Sequence, residues 1–182
     1  MLLKLSGSRS LTKTHILCLA VLVTYFASSF APMSGNAANL TAVDESKTGN
    51  WSAGTMKNDD DGREFCFAES TGAQATVFRI VMYKANKDWF VEALNEQWNF
   101  RDGSMDFSFQ FNDGYSVNFK GKSYGDALSY DLLDLDTTLA FFGLLSSRKQ
   151  VTLKNSNGGF LEEFSLDGSH SAMGTLKACV GF

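Results

Sequence analysis

The sequence runs to 182 residues with 16 basic and 20 acidic side chains, a net charge of −4. A chain of that length builds one ordinary domain with a proper core. The acidic balance argues against binding nucleic acid or an anionic membrane through a broad basic face.

Residues 1–37 read as a secretory signal. Lys4, Arg9 and Lys13 form a basic start with no acidic residue, and an apolar run from Ile16 to Phe26 follows that is short for a bilayer span. Pro32 breaks the run, and Gly35, Asn36 and Ala37 supply the small residues of a cleavage site. Cleavage is expected after Ala37, with Ala31 and Ala38 as alternatives. An uncleaved membrane anchor is the competing reading. Cys18 follows Ile16 and Leu17 rather than a small residue, which disfavours a lipoprotein. Removing 37 residues leaves 145, with 13 basic against 20 acidic groups, no proline, and no integral membrane segment.

Cys66 and Cys179 then remain. Two cysteines in an exported chain most simply make one disulfide, with an intermolecular bridge or two free thiols as alternatives. The loop closed would be about 114 residues, for which the chain-entropy model gives roughly 4–5 kcal/mol. Two distant cysteines and the single remaining histidine, His170, cannot close a tetrahedral metal shell, so no metal or other cofactor is expected.

Residues 38–50 are polar and without periodicity, and are expected to form a flexible leader. From Trp51 onward, short apolar stretches alternate with turn signals, the pattern of a β-rich domain over residues 51–182. Strands are expected over 51–56, 64–68 and 76–83, with Asn58, Asp59, Asp60, Asp61 and Gly62 as a loop. In an EF-hand frame that loop would place Lys57 and Ala68 where acidic ligands are needed, so it reads as a solvated turn. Residues 89–98 suit either a helix or a strand, and the flanking strands favour a strand ending near Asn95.

The hairpin over 105–121 is the best determined piece. Phe107, Phe109 and Phe111 alternate with polar residues, and the alternation resumes at Tyr115, Val117 and Phe119. A two-residue turn at Asp113 and Gly114 would oppose aromatic and polar side chains. A three-residue loop ending in a left-handed Gly114 pairs Phe111 with Tyr115, Phe109 with Val117 and Phe107 with Phe119, and also Asp106 with Lys120. The second register is the expected one.

Asp136 is expected to cap a helix over 137–147 with Leu139, Phe142 and Leu145 buried and Arg148 and Lys149 at its electronegative end. A second hairpin is expected over 151–154 and 160–166. Ser169 is expected to cap a last helix whose buried stripe is Ala172, Met173, Leu176, Cys179 and Val180. The fold class is therefore β-rich: an antiparallel β-sandwich or partly open barrel with two short helices, the last at the C-terminus.

No pattern of catalytic residues emerges. Asp167, Ser169, His170 and Ser171 are too close in sequence for a nucleophile–base–orienter line. Asp131, Asp134, Asp136, Glu162 and Glu163 could serve acid–base chemistry, but equally suit ordinary surface charge. The aromatic load is more suggestive. Trp89, Trp98 and Tyr124 could line a recognition surface for peptide or sugar; a phenylalanine-rich core is the plainer explanation.

The ends of the domain resemble a known family. Trp51, Ser52 and Ala53, a polar loop, and then Gly62 through Ser70 around Cys66 are similar to the opening of invasion-associated locus B-like proteins. Phe164 through Ser169, followed by Ala172, Leu176 and Cys179, resembles that family's close. The resemblance implies a periplasmic or secreted bacterial protein, a cysteine pair joining an early strand to the last helix, and an association with host-cell invasion. The leading expectation is an exported non-catalytic binding protein whose protein or glycan partner is unspecified. The rivals are a carboxylate-dependent envelope hydrolase and an inhibitor or immunity-type protein that blocks a secreted enzyme.

Overall fold

The structure, a computed structural model, describes residues 40–181. The export signal expected over residues 1–37 lies outside them. Ten strands form one sheet among the described residues: β1 (Leu40–Thr48), β2 (Trp51–Asn58), β3 (Glu64–Thr71), β4 (Val77–Tyr83), β5 (Trp89–Leu94), β6 (Phe100–Phe111), β7 (Ser116–Gly125), β8 (Ala127–Leu132), β9 (Gln150–Asn155) and β10 (Phe160–Ser165). Helix α1 (Leu135–Ser147) separates β8 from β9, and α2 (Ser169–Val180) closes the chain. The spatial order is β1-β2-β3-β4-β5-β8-β7-β6-β9-β10, with every neighbour antiparallel.

This ribbon does not close, but it folds over. Phe78 on β4 lies 5.6 Å from Trp51 on β2, 4.8 Å from Phe109 on β6 and 5.4 Å from Phe164 on β10, ring centre to ring centre. β6 and β10 stand four and six strands from β4 across the sheet, so its two halves must face each other over a shared core, as in a sandwich. Among the described residues no ladder pairs the edge strands β1 and β10, and single bonds tie the end of β10 to the start of β2. The Trp51 indole N–H donates to the Ser165 carbonyl at 3.0 Å, and the Asn50 amide donates to Asp167 O at 3.0 Å. Helix α2 packs on β1, β2 and β3 and against α1. Cys66 on β3 and Cys179 on α2 form a disulfide, with Cα atoms 6.0 Å apart, so the expected intramolecular bridge is the one found.

The β6–β7 register is the expected one. Phe107 faces Phe119, Phe109 faces Val117 and Asp106 faces Lys120. The Phe111 amide donates to Tyr115 O at 2.8 Å, and Gly114 takes φ +85° in the loop. The ambiguous 89–98 segment is β5 followed by a turn.

Several local expectations need correction. Residues 40–48 are not a loose leader but edge strand β1, paired with β2 along its length. Its side chains are nearly all exposed, so no alternation marks it; its ladder with β2 makes it a strand. A bulge between Ala42 and Asp44 turns the Asp44 carboxylate back to accept the Thr55 amide at 2.7 Å. Gly54 is what permits this approach, since a β-carbon there would lie 2.2 Å from Asp44 O. Asp44, Glu45 and Lys47 place charge along the outermost strand, a common guard against further pairing.

The cap of α1 is Asp134, not Asp136. Its carboxylate accepts the Thr137 amide at 2.8 Å, while Asp136 sits in the first turn, where it complements the helix dipole. Phe142 and Leu145 are buried as expected, on a stripe with Thr138 and Phe141 at i, i+3, i+4 and i+7 that leaves Leu139 exposed. Arg148 serves the β6–β7 loop: its guanidinium donates to Asp113 at 2.9 Å and lies over the rings of Phe111 and Tyr115. Ser169 does not cap α2 either. Gly168 holds that position with φ +90°, and a β-carbon there would sit 1.8 Å from Thr48 O. Ser169 is the first helical residue, buried, and its hydroxyl donates to Leu166 O (2.6 Å) or Leu145 O (2.8 Å), tying α2 to α1. Among the described residues no helix is long and apolar enough to cross a membrane.

Candidate functional site

The inner face of the folded sheet takes Cys66, Ala68, Phe78, Ile80, Met82, Trp89, Val91 and Ala93 into the core. Strand geometry sends alternate residues to the opposite face, and there the sequence does not turn polar. Phe65, Phe67 and Val81 form a second buried cluster with Leu40, Met56, Tyr83 and Phe90 packed around it. A strand apolar on both faces belongs to a sheet with something to cover on each side.

Register arranges this outer face in rows. One row runs Phe67, Val81, Phe90 across β3, β4 and β5. Another runs Val77, Leu94, Ala127, Tyr124 across β4, β5, β8 and β7. Between them lies a polar row: Glu69, Arg79, Glu92, Ser129, Lys122. Members of these rows line a groove of about 850 Å³ whose walls include Phe65, Val81, Tyr83, Phe90, Arg79 and Glu92, while Phe67, Glu69, Ser129 and Lys122 lie outside its lining. The turns after β5 and before β8 close one end with Glu96, Gln97 and Asp126, brought together where the Asn95 amide donates to Asp126 O at 2.9 Å. Asn95 is itself fixed from behind, since its side-chain amide donates to Thr76 Oγ1 at 2.8 Å and to Gln74 O at 3.0 Å.

The charges in the groove are unequally satisfied. Arg79 donates to Glu69 at 2.7 Å, a charge-assisted bond with both side chains largely covered. Glu92 stands 4.0 Å from the same guanidinium, too far for a hydrogen bond. Burial therefore pushes the Glu92 carboxyl above its ordinary range; Arg79 pulls the other way and the nearby Glu69 charge adds to the rise. A native state that holds this proton more tightly than the unfolded chain loses stability as pH climbs from the ordinary value of 4.5 through the raised one. Replacing Glu92 with Gln should remove that loss. Urea melts are expected to show E92Q more stable than wild type at pH 7 and indistinguishable from it near pH 4. The opposite order at pH 7 would show that the Arg79 attraction outweighs desolvation.

The three aromatic residues singled out in the sequence do not meet. Trp89 is a core residue, 7% exposed, with its ring 5.3 Å from Phe142 of α1. Its position in β5 shares a face with Val91 and Ala93, which is why it points inward. Trp98 is half-buried against Phe100 at 5.1 Å, beyond the groove walls. Tyr124 is 47% exposed and does line the groove. Sequence reading missed Phe65, Arg79, Tyr83, Phe90 and Glu92. The signal was there in Val77 to Tyr83 and in Trp89 to Leu94, whose large residues occupy both odd and even positions.

Three of the carboxylates considered for acid–base chemistry have structural partners, and Asp136 and Glu163 are exposed. Asp131 pairs with Lys122 at 3.8 Å and Asp134 caps α1. Glu162 is 1% exposed, and accepts the Gln74 and Glu163 amides at 2.9 Å each. In the acidic 58–62 loop, Asn58 accepts the Asp60 amide and Asp61 binds Arg63. His170 is exposed on the first turn of α2. Compared with known proteins, the chain matches no family model, no curated protein and no solved structure.

Proposed function

We propose that this chain is a non-catalytic binding protein that works in the periplasm or outside the cell and receives its partner in the outer-face groove. The observation that carries the reading is the groove itself: aromatic walls from Phe65, Tyr83, Phe90 and Tyr124 around a small number of placed polar groups. Concave, mainly apolar surfaces with a few convergent polar side chains are the usual form of a binding site. The disulfide supports the compartment, because such bonds persist where thiols are not kept reduced. Kinship with invasion-associated locus B-like proteins, and with it a part in host-cell invasion, belongs to the same proposal. Its support is that the two resembling ends supply β3 with Cys66 and the β10–α2 junction leading to Cys179.

Two measurements test the proposal. Intact mass of protein recovered from its native host should equal the chain beginning at Ala38, less two hydrogens. A full-length mass with both thiols free would overturn the compartment. Wild type should retain a partner from native envelope extract that Tyr124→Ala loses at unchanged secondary structure and melting. Equal retention by both would remove the groove from the function.

A further inference from the structure

Resting on that reading of the groove, we infer that the partner inserts an apolar peptide segment bearing one lysine or arginine, whose charge sits at the Tyr124 end. Three observations lead there. The groove's apolar lining, from Phe65 and Val81 to Phe90 and Leu94, offers hydrophobic contact along most of its length. Its lining contains the carboxylates of Glu92, Glu96 and Asp126 but a single cation, Arg79. That cation is already engaged by Glu69, which is not part of the lining, so the free charge facing an occupant is negative.

Position adds to sign. Register sets Tyr124 beside Ala127 and Leu94, and the Asn95–Asp126 backbone bond draws Glu96 and Asp126 to the same end. An exposed phenol ring at the same end of the groove as two acidic residues is suited to a cationic side chain, which gains from the ring face and from the charges together. Half-buried Glu92, at the centre of the polar row, lies between this end and the aromatic walls, so an ammonium or guanidinium placed here satisfies a carboxyl that Arg79 reaches only at 4.0 Å. An anionic occupant would meet the same three carboxylates with no free cation among the described lining residues. The chain's own net charge of −4 steers in the same direction.

The experiment uses three capped heptapeptides of one valine–phenylalanine sequence, differing only in a central lysine, glutamine or glutamate. They are titrated into the full oxidised protein and followed by calorimetry. The lysine peptide is expected to bind at least tenfold more tightly than the glutamate peptide, with the glutamine peptide between them, and the gap should narrow with added salt. Glu96 is exposed and Asp126 half-buried, so the doubly substituted Glu96→Lys, Asp126→Lys protein should fold and invert the order. Equal affinities for all three peptides, abolished together by Phe90→Asp, would overturn the charge inference and leave the groove as the binding site. Binding of none of them to protein with an intact melting transition would overturn both.

Discussion

Breaking the disulfide is expected to cost this protein more than any surface substitution: Cys179→Ala should lower the thermal midpoint of oxidised protein, and reductant should lower wild type to match it. The bridge spans 113 residues between β3 and α2. For a loop near that length the chain-entropy model gives about 4–5 kcal/mol, and loss of a native bridge typically costs about 2–5 kcal/mol. Cys179 is the better position to change because it is half-buried, whereas Cys66 is fully enclosed and its replacement would also disturb packing. The loss should be local before it is global. Helix α2 lies over β1, β2 and β3 with the bridge near its C-terminal end, so its amides should lose hydrogen-exchange protection first. Equal melting with and without reductant would show that the bridge contributes nothing.

Phe78→Ala should rival it. Truncating a buried phenylalanine removes about 3–5 kcal/mol through lost burial and the cavity left behind. The upper part of that range is expected here, because Phe78 is fully buried and its ring meets Trp51, Phe109 and Phe164 at once. Those partners come from both halves of the folded sheet, so no single strand can shift inward to fill the space. Urea melts of the variant measure the loss. Phe160→Ala is the control: that ring is 54% exposed at the tip of the β9–β10 hairpin, and its removal should change stability by no more than about 0.5 kcal/mol. Similar losses for the two would contradict the placement of the core.

Local chemistry proved readable where one choice made every neighbouring pair agree. In the β6–β7 hairpin the loop length decided the register, since the alternative opposed aromatic and polar side chains at each step. The helix starts were misread for a complementary reason. Asp134 and Asp136 are both able to cap, and only the end of β8 at Leu132 makes the earlier one the choice. Gly168 displaced Ser169 because Thr48 crosses so close above it, a contact between residues distant in sequence.

The amino-acid sequence by itself determined that the chain is β-rich with a terminal helix, which cysteines are available to pair, and the pairing of the central hairpin. These follow from period, composition and turn chemistry, which act over a few residues. Tertiary structure alone decided that residues 40–48 join the sheet, that Trp89 faces the core, and that Phe65, Arg79, Tyr83, Phe90 and Glu92 share one groove. A strand's alternation separates its two faces without saying which is inside. That is settled only when the sheet folds and Phe78 meets Phe164, leaving the other face outward with its aromatic rings and a half-satisfied carboxylate.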